Sequence, residues 1–241
     1  MQHTLEPIGY IRSPYQQKFS VPRQPSLVTA TTSSVEFVAP FNQPEMLDEI
    51  EQFSHFWLIF AFHQNIKAGW KPKVRPPRLG GNKKVGVLAS RSSFRPNHLG
   101  LSLMELSRVE RNSGQPVLQF KGGDLVNGTP IYDIKPYLPY ADSVSHANAG
   151  YAQSAPQSQL AVFWSEQASQ QALMLKLSEP QYGVINQVLA QDPRPAYKQQ
   201  QQDNKEYGVA LYHFNIRWRI KLDQQQIPFI EIVAISHAAQ P

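Results

Sequence analysis

The chain has 241 residues, no cysteine, and 23 Lys+Arg against 18 Asp+Glu. Without cysteine it has no disulfide, thiolate nucleophile, Cys-ligated zinc or iron–sulfur cluster. A hydrophobic content of 41% with 17% charged residues describes a folded globular chain and not a disordered tail. The longest apolar run, residues 56–62, is too short to span a bilayer, and the opening MQHTLEPIGY lacks the charged-then-apolar layout of a secretion signal. The expected address is the cytoplasm, with no membrane partner.

In chain order, PIGYIRS (residues 7–13) reads as a first strand stopped by Pro14. The loop after it carries VPRQPSL, whose prolines fix φ on either side of Arg23 and Gln24. Residues 35–38 read as a short strand. Asn42 suits a helix N-cap with Pro44 in the first turn, and Glu45, Asp48 and Glu49 suit the positive end of the dipole, so a helix to about Phe53 is expected. SHFWLIFAFHQ (54–64) reads as a central strand with apolar residues on both faces, ending in the polar pair His63–Gln64.

The basic residues then concentrate. Residues 67–95 hold nine Lys or Arg and no Asp or Glu, leaving 14 basic against 18 acidic residues elsewhere, so the positive charge is local. Pro72, Pro76, Pro77, Gly80 and Gly81 turn this run into a loop, with Trp70 and Phe94 among the cations. Aromatics for stacking and cations for phosphates are a nucleic-acid pattern. Residues 84–91 (KVGVLASR) read as a buried strand delivering Arg91, and 92–100 (SSFRPNHLG) as a proline-stiffened turn presenting Arg95 and Asn97.

Residues 101–109 and 117–120 read as strands, and DLVNGTPIYDIKPY (124–137) contains an Asn127–Gly128 turn of the hairpin type. Short strands at this spacing argue for a β-barrel or sandwich and against a βαβ sheet. From 141 to 159 the composition drifts to Ala, Ser, Asn and Gln, which reads as a linker. Beyond it, 165–177 and 182–191 read as helices separated by Pro180, DPRPAY (192–197) as a rigid loop and QQQQ (199–202) as a flexible one. Residues 208–222 alternate with period two. Tyr212, Phe214, Ile216, Trp218, Ile220 and Leu222 share one face, and His213, Asn215, Arg217, Arg219 and Lys221 share the other. A final strand, 227–235, pairs with it. The architecture expected is mainly β: a small N-terminal barrel over 1–145, then a linker and a small α+β domain over 146–241 whose basic strand face offers an RNA contact.

No GxGxxG, P-loop, GxSxG or HExxH is present, and the seven histidines lack metal-ligand spacing. A nucleotide-like cofactor therefore has to bind on loops at the mouth of a barrel. The loops that offer this are VPRQPSL, His63–Gln64, Arg91, the 95–100 turn and residues 124–128.

The blocks VPRQP, SHFWLIFAFHQ, VRPPRLGGN, GVLASRSSFRPNHLGLS, DLVNGTPIYDIKPYLP and QDPRPAY, in this order, closely resemble the TsaA-like family and within it the bacterial TrmO proteins. The resemblance runs from about residue 8 to 235. Two positions depart from the family pattern: His98 stands where the family usually has the second proline of RPNP, and Asn127 where it usually has Asp. A carboxylate role at 127 does not carry over.

The resemblance implies an S-adenosylmethionine-dependent methyltransferase on a small β-barrel. Its members are homodimers acting on N6 of threonylcarbamoyladenosine beside the tRNA anticodon. It also implies that the donor is lined by Gln24, Pro25, Ser26, Leu27, His63, Gln64, Arg91, Leu101, Asp124, Leu125, Val126 and Asn127. Transfer to a carbonyl-bound nitrogen is helped by a proton acceptor. Asp133, Asp124 and His63 are the candidates, with Asn97 orienting N6. Arg95, Lys135 and Tyr137 are expected to hold the modified base and its carboxylate, and Lys71, Lys73, Arg75 and Arg78 the phosphates. A non-catalytic RNA-binding barrel and a small-molecule-binding regulator are the other readings.

Overall fold

In the computed structural model, which describes residues 4–111, 115–154, 160–195, 198 and 205–238, the first half of the chain is a closed six-stranded barrel. Its strands are β1 (Gly9–Arg12), β2 (Thr32–Phe37), β3 (His55–Ala61), β6 (Leu99–Glu110), β7 (Val117–Lys121) and β8 (Pro130–Pro136), in the order β1-β2-β7-β6-β3-β8. A two-stranded ribbon, β4 (Lys73–Val74) with β5 (Val85–Gly86), stands between β3 and β6 in sequence.

Alternation along each strand fills the barrel. On β3, Phe56, Leu58 and Phe60 are buried while His55, Trp57 and Ile59 are half-buried on the other face. The inward residues meet Ile11, Val35, Met104, Leu118, Phe120 and Ile131 in one core. Gly100 permits this packing, because a Cβ there would lie 2.3–2.8 Å from the Phe60 ring. Gly100→Ala is expected to cost roughly 1–3 kcal/mol by overpacking, measured by denaturant unfolding.

The second half is a four-stranded sheet backed by two helices. Its elements are β9 (Ala161–Trp164), α2 (Glu166–Met174), α3 (Glu179–Ala190), β10 (Tyr207–Leu211), β11 (Phe214–Leu222) and β12 (Pro228–His237); the short α1 (Pro139–Asp142) precedes them. The sheet order is β10-β11-β12-β9, with β9 parallel to β12. Phe214, Ile216, Trp218 and Ile220 are buried against both helices. Tyr15 and Val28, from the loop after β1, are buried in this second core and not in the barrel. Among the described residues no helix is long and apolar enough to cross a membrane.

Several expectations are corrected. Residues 42–53 form two 3₁₀ turns, Pro44–Leu47 and Ile50–Gln52, because Asp48 is extended and Glu49 is left-handed (φ 64°). Residues 84–91 are not a buried strand. Only Val85–Gly86 pair, a 3₁₀ turn follows over Val87–Ala89, and Leu88 is 74% exposed. Asn127–Gly128 closes no hairpin between β7 and β8; their backbone N–H groups instead donate to Tyr15 O and Ile11 O. The run 208–222 is two strands joined at Tyr212 (φ 55°). Parity survives that turn, so the faces of β11 fall as expected. Pro180 lies in the first turn of α3, behind a Ser178–Gln181 capping box, and does not separate two helices there. The QQQQ run, residues 155–159 of the linker and the end of DPRPAY lie outside the described residues.

Candidate active site

A cavity of about 770 Å³ lies against the outer face of β3 and β6, where β3 ends and β6 begins. Four separate regions of the sequence converge on it: Arg23 and Gln24, residues 59–65, the run from Ser90 to Leu101 (Ser90, Arg91, Ser93, Arg95 and 99–101), and residues 124–126. Each arrives for a local reason. Gln24 precedes a 3₁₀ turn, Pro25–Leu27, started by proline. His63 begins a 3₁₀ stretch, His63–Ala68, where β3 ends. Gly122 and Gly123 (φ 72° and 135°) carry the chain out of β7 into Asp124 in conformations that favour glycine.

Of the donor-lining residues expected, Gln24, His63, Gln64, Arg91, Leu101, Asp124, Leu125 and Val126 line this cavity. Pro25, Ser26, Leu27 and Asn127 lie outside the lining. Asn127 accepts the Ser13 N–H through Oδ1 at 3.2 Å, tying the loop after β1 to the loop before β8.

The walls carry opposite charges. Arg91 donates to Gln24 Oε1 at 2.8 Å. Asp124 accepts from the Ser102 hydroxyl at 2.5 Å. Burial pushes the Asp124 carboxyl up to about 6, against the opposing pull of the Ser102 hydrogen bond, its own backbone N–H and nearby Arg91. Burial holds His63 below the ordinary histidine range, so its ring is neutral at pH 7. Arg23 is lowered by burial and by Arg78, with Asp192 pulling the other way.

Arg95 also lines the cavity, and one of its terminal nitrogens donates to Ser90 O at 2.7 Å. Asn97 is exposed beside it, outside the lining. His98 sits at φ 54°, with its N–H donating to Arg95 O and its carbonyl accepting from Phe62 N. Proline has φ fixed near −65° and no N–H, so a proline at position 98 does not fit this turn as it stands.

Asp133, Lys135 and Tyr137 are outside the lining but adjoin it. Asp133 is exposed on β8 opposite Ile59, and Lys135 lies opposite Trp57. The Tyr137 ring packs edge-on against Trp57 at 6.0 Å. Ile59 and Trp57 both face the cavity. Sequence reasoning does not bring Trp57 and Lys18 to the site; the outward parity of Trp57 on β3 is the available signal.

Lys71, Lys73, Arg75 and Arg78 are exposed on the flank formed by β4 and its neighbouring turns. Lys71 lies 4.4 Å from the Phe94 ring centroid, and Arg78 donates to Ser154 O. Trp70, next to Lys71 in the chain, is 58% exposed.

The profile of the tRNA-methyltransferase O N-terminal domain matches residues 10–143, and that of the TrmO C-terminal domain matches 157–235. A tRNA (adenine(37)-N6)-methyltransferase of Escherichia coli K12 is 50% identical over 217 residues, 90% of this chain and 92% of that protein. A Pseudomonas aeruginosa protein bearing the name of a putative S-adenosylmethionine-dependent methyltransferase, RcsF, is 47% identical over 220 residues, 90% and 93% of the two chains. The crystal structure of TrmO from Pseudomonas aeruginosa superposes with a TM-score of 0.77 at 38% identity, covering 98% of this chain and 99% of that one. The chain belongs to the TrmO family of tRNA methyltransferases.

Proposed function

We propose that the chain transfers the methyl group of S-adenosylmethionine to N6 of threonylcarbamoyladenosine beside the tRNA anticodon, in the cytoplasm and as a homodimer. The supporting observation is the convergence of Gln24, His63–Gln64, Arg91, Leu101 and Asp124–Val126 on one cavity. The residues present fit the donor. The volume accommodates a nucleoside with an amino-acid arm, Leu101, Leu125 and Val126 offer apolar wall, and Arg91 and Asp124 offer charges of both signs for a zwitterion. When bound, the donor supplies a methyl group on a cationic sulfur, and N6 loses its proton as the new bond forms.

The protein's part is positioning and proton acceptance. Asp124 holds the N6 proton as it leaves. It lies in the lining, whereas Asp133, exposed on β8 opposite Ile59, lies outside it and orients the polar edge of a group laid over that strand. Neutral His63 is the second acceptor at the same wall. Asn97 orients N6 from the loop tip. Arg95 keeps part of its guanidinium fork for the threonine carboxylate, and Lys135 and Tyr137 hold the modified base behind Trp57. Lys71, Lys73, Arg75 and Arg78 take phosphates, and exposed Trp70 offers a stacking surface among them. In the second domain Glu231 is shared by Arg219 and Lys221, and Arg217 pairs with Glu206, so this face makes the weaker RNA contact.

Ligand-induced stabilisation tests the donor assignment. At about one hundred times its Kd, S-adenosylmethionine or its demethylated product is expected to stabilise the fold by roughly 2.7 kcal/mol, seen as a rise in Tm. A protein that binds tRNA but shows no shift with either compound is a non-catalytic RNA-binding barrel.

A further inference from the structure

The loop after β1 carries Arg23 and Gln24 to the cavity, yet its other side is fastened to the second domain. On α3, Gln187 Oε1 accepts the Ala30 N–H at 3.0 Å, and just past its end Gln191 Nε2 donates to Leu27 O at 3.2 Å. Gln191 also donates to Gln187 O, which fixes it against the helix. Gly183, one turn earlier on α3, leaves room for the close approach: a Cβ there would stand 3.0 Å from the Ala30 Cβ. Between these two attachments Val28 is fully buried in the second core. The loop also meets the barrel: the Gly122 N–H donates to Thr31 O at 2.7 Å and the Gly123 N–H to Pro25 O at 3.4 Å. On the cavity side Arg91 donates to Gln24 between exposed side chains. That last bond is the one open to exchange with a ligand, while the α3 bonds and the two barrel bonds hold the loop from behind.

We propose that Gln187 and Gln191 are positioning residues for donor binding, and that through them the second domain sets the place of Gln24 in the cavity. This rests on the cavity being the donor site. Two bonds run from these glutamines to the backbone at 27 and 30, three and six residues after Gln24, a span too short and too stiffened by Pro25 to absorb a shift of α3. The loop reaches the donor wall already ordered, so binding carries less ordering cost than it would for a free loop. Neither glutamine touches the cavity. Their effect falls on donor affinity, and the step after both substrates are bound is untouched.

The test uses the full chain and calorimetric titration with the demethylated product of S-adenosylmethionine. Gln187→Leu removes the acceptor for Ala30, and Gln187→Glu keeps one. The Leu variant, alone or with Gln191→Leu, is expected to bind about tenfold more weakly, while turnover at saturating donor stays within twofold of wild type. The Glu variant is expected to bind within threefold of wild type. Melting is recorded for each, and the single variant gives the readout if the double variant does not fold. Unchanged affinity in a folded Leu variant overturns the proposal, as does a fall in saturated turnover with affinity intact. If wild type itself shows no heat of binding, the donor-site assignment has failed instead, and the two failures are distinct.

Discussion

Asp124→Asn is expected to abolish most methyl transfer while making the protein more stable at neutral pH. The carboxyl is raised from 3.8 to about 6 in the fold, chiefly by burial. A raised folded pKa means that the neutral acid's contribution to stability is complete below about pH 4 and is lost as pH climbs through 6. At pH 7.5 the ionised form therefore sits at a cost on the order of 2–3 kcal/mol. Asparagine keeps the acceptor for Ser102 and removes that cost, so Tm should rise by several degrees at pH 7.5 and scarcely change at pH 4. Single-turnover methyl transfer should fall about a hundredfold or more, the range for removal of a proton acceptor. The wild-type rate should also decline on acidification with a midpoint near 6, and the residual rate of the variant should lack that midpoint. Functional sites commonly hold groups that the fold alone would reject. An Asn variant with wild-type turnover would move the acceptor role to His63 or Asp133.

Alanine at Lys71, Lys73, Arg75 and Arg78 together is expected to weaken tRNA binding severely at low salt and flatten its salt dependence. Each phosphate that no longer meets a cation reduces the slope of log K against log salt by about 0.7–0.9, so removing all four cations lowers it by roughly three. The four positions are not equivalent. Lys71 also covers the Phe94 ring and Arg78 also holds Ser154 O, so part of each side chain's effect is on the loop itself. Lys73 and Arg75, exposed on and beside β4, should show the cleaner slope changes. Donor affinity should stay near wild type in every case. An unaltered slope would make this flank a solvated face.

The strands of the barrel are legible in the sequence because each buries one face and alternates, as β3 does, and β11 in the second domain follows the same rule. The site loops are legible because they are polar, proline-stiffened strand ends. Where the sequence misleads, the causes are local. Residues 84–91 are aliphatic enough for a strand, but one buried side chain, Val87, uses that apolarity, and Leu88 points to solvent. Residues 44–53 have helix-start chemistry, but the left-handed Glu49 divides them into two short turns. β9 escapes a sequence reading because AVFW is a single short edge strand, recognisable only by its partner β12. The mounting of residues 27–30 on α3 is out of reach of sequence. It joins distant positions through two glutamines that look like ordinary helix surface. His98 stands out in the sequence as a departure, and its meaning comes only with its backbone angle.

Methyl transfer to tRNA with and without the threonylcarbamoyl group, followed by mass analysis of the released nucleosides, decides the activity. The expected result is a gain of one methyl group on threonylcarbamoyladenosine, dependent on S-adenosylmethionine, and little or none on tRNA bearing plain adenosine at that position. Equal methylation of both tRNAs, or of neither in a protein that binds the donor and the tRNA, would contradict it.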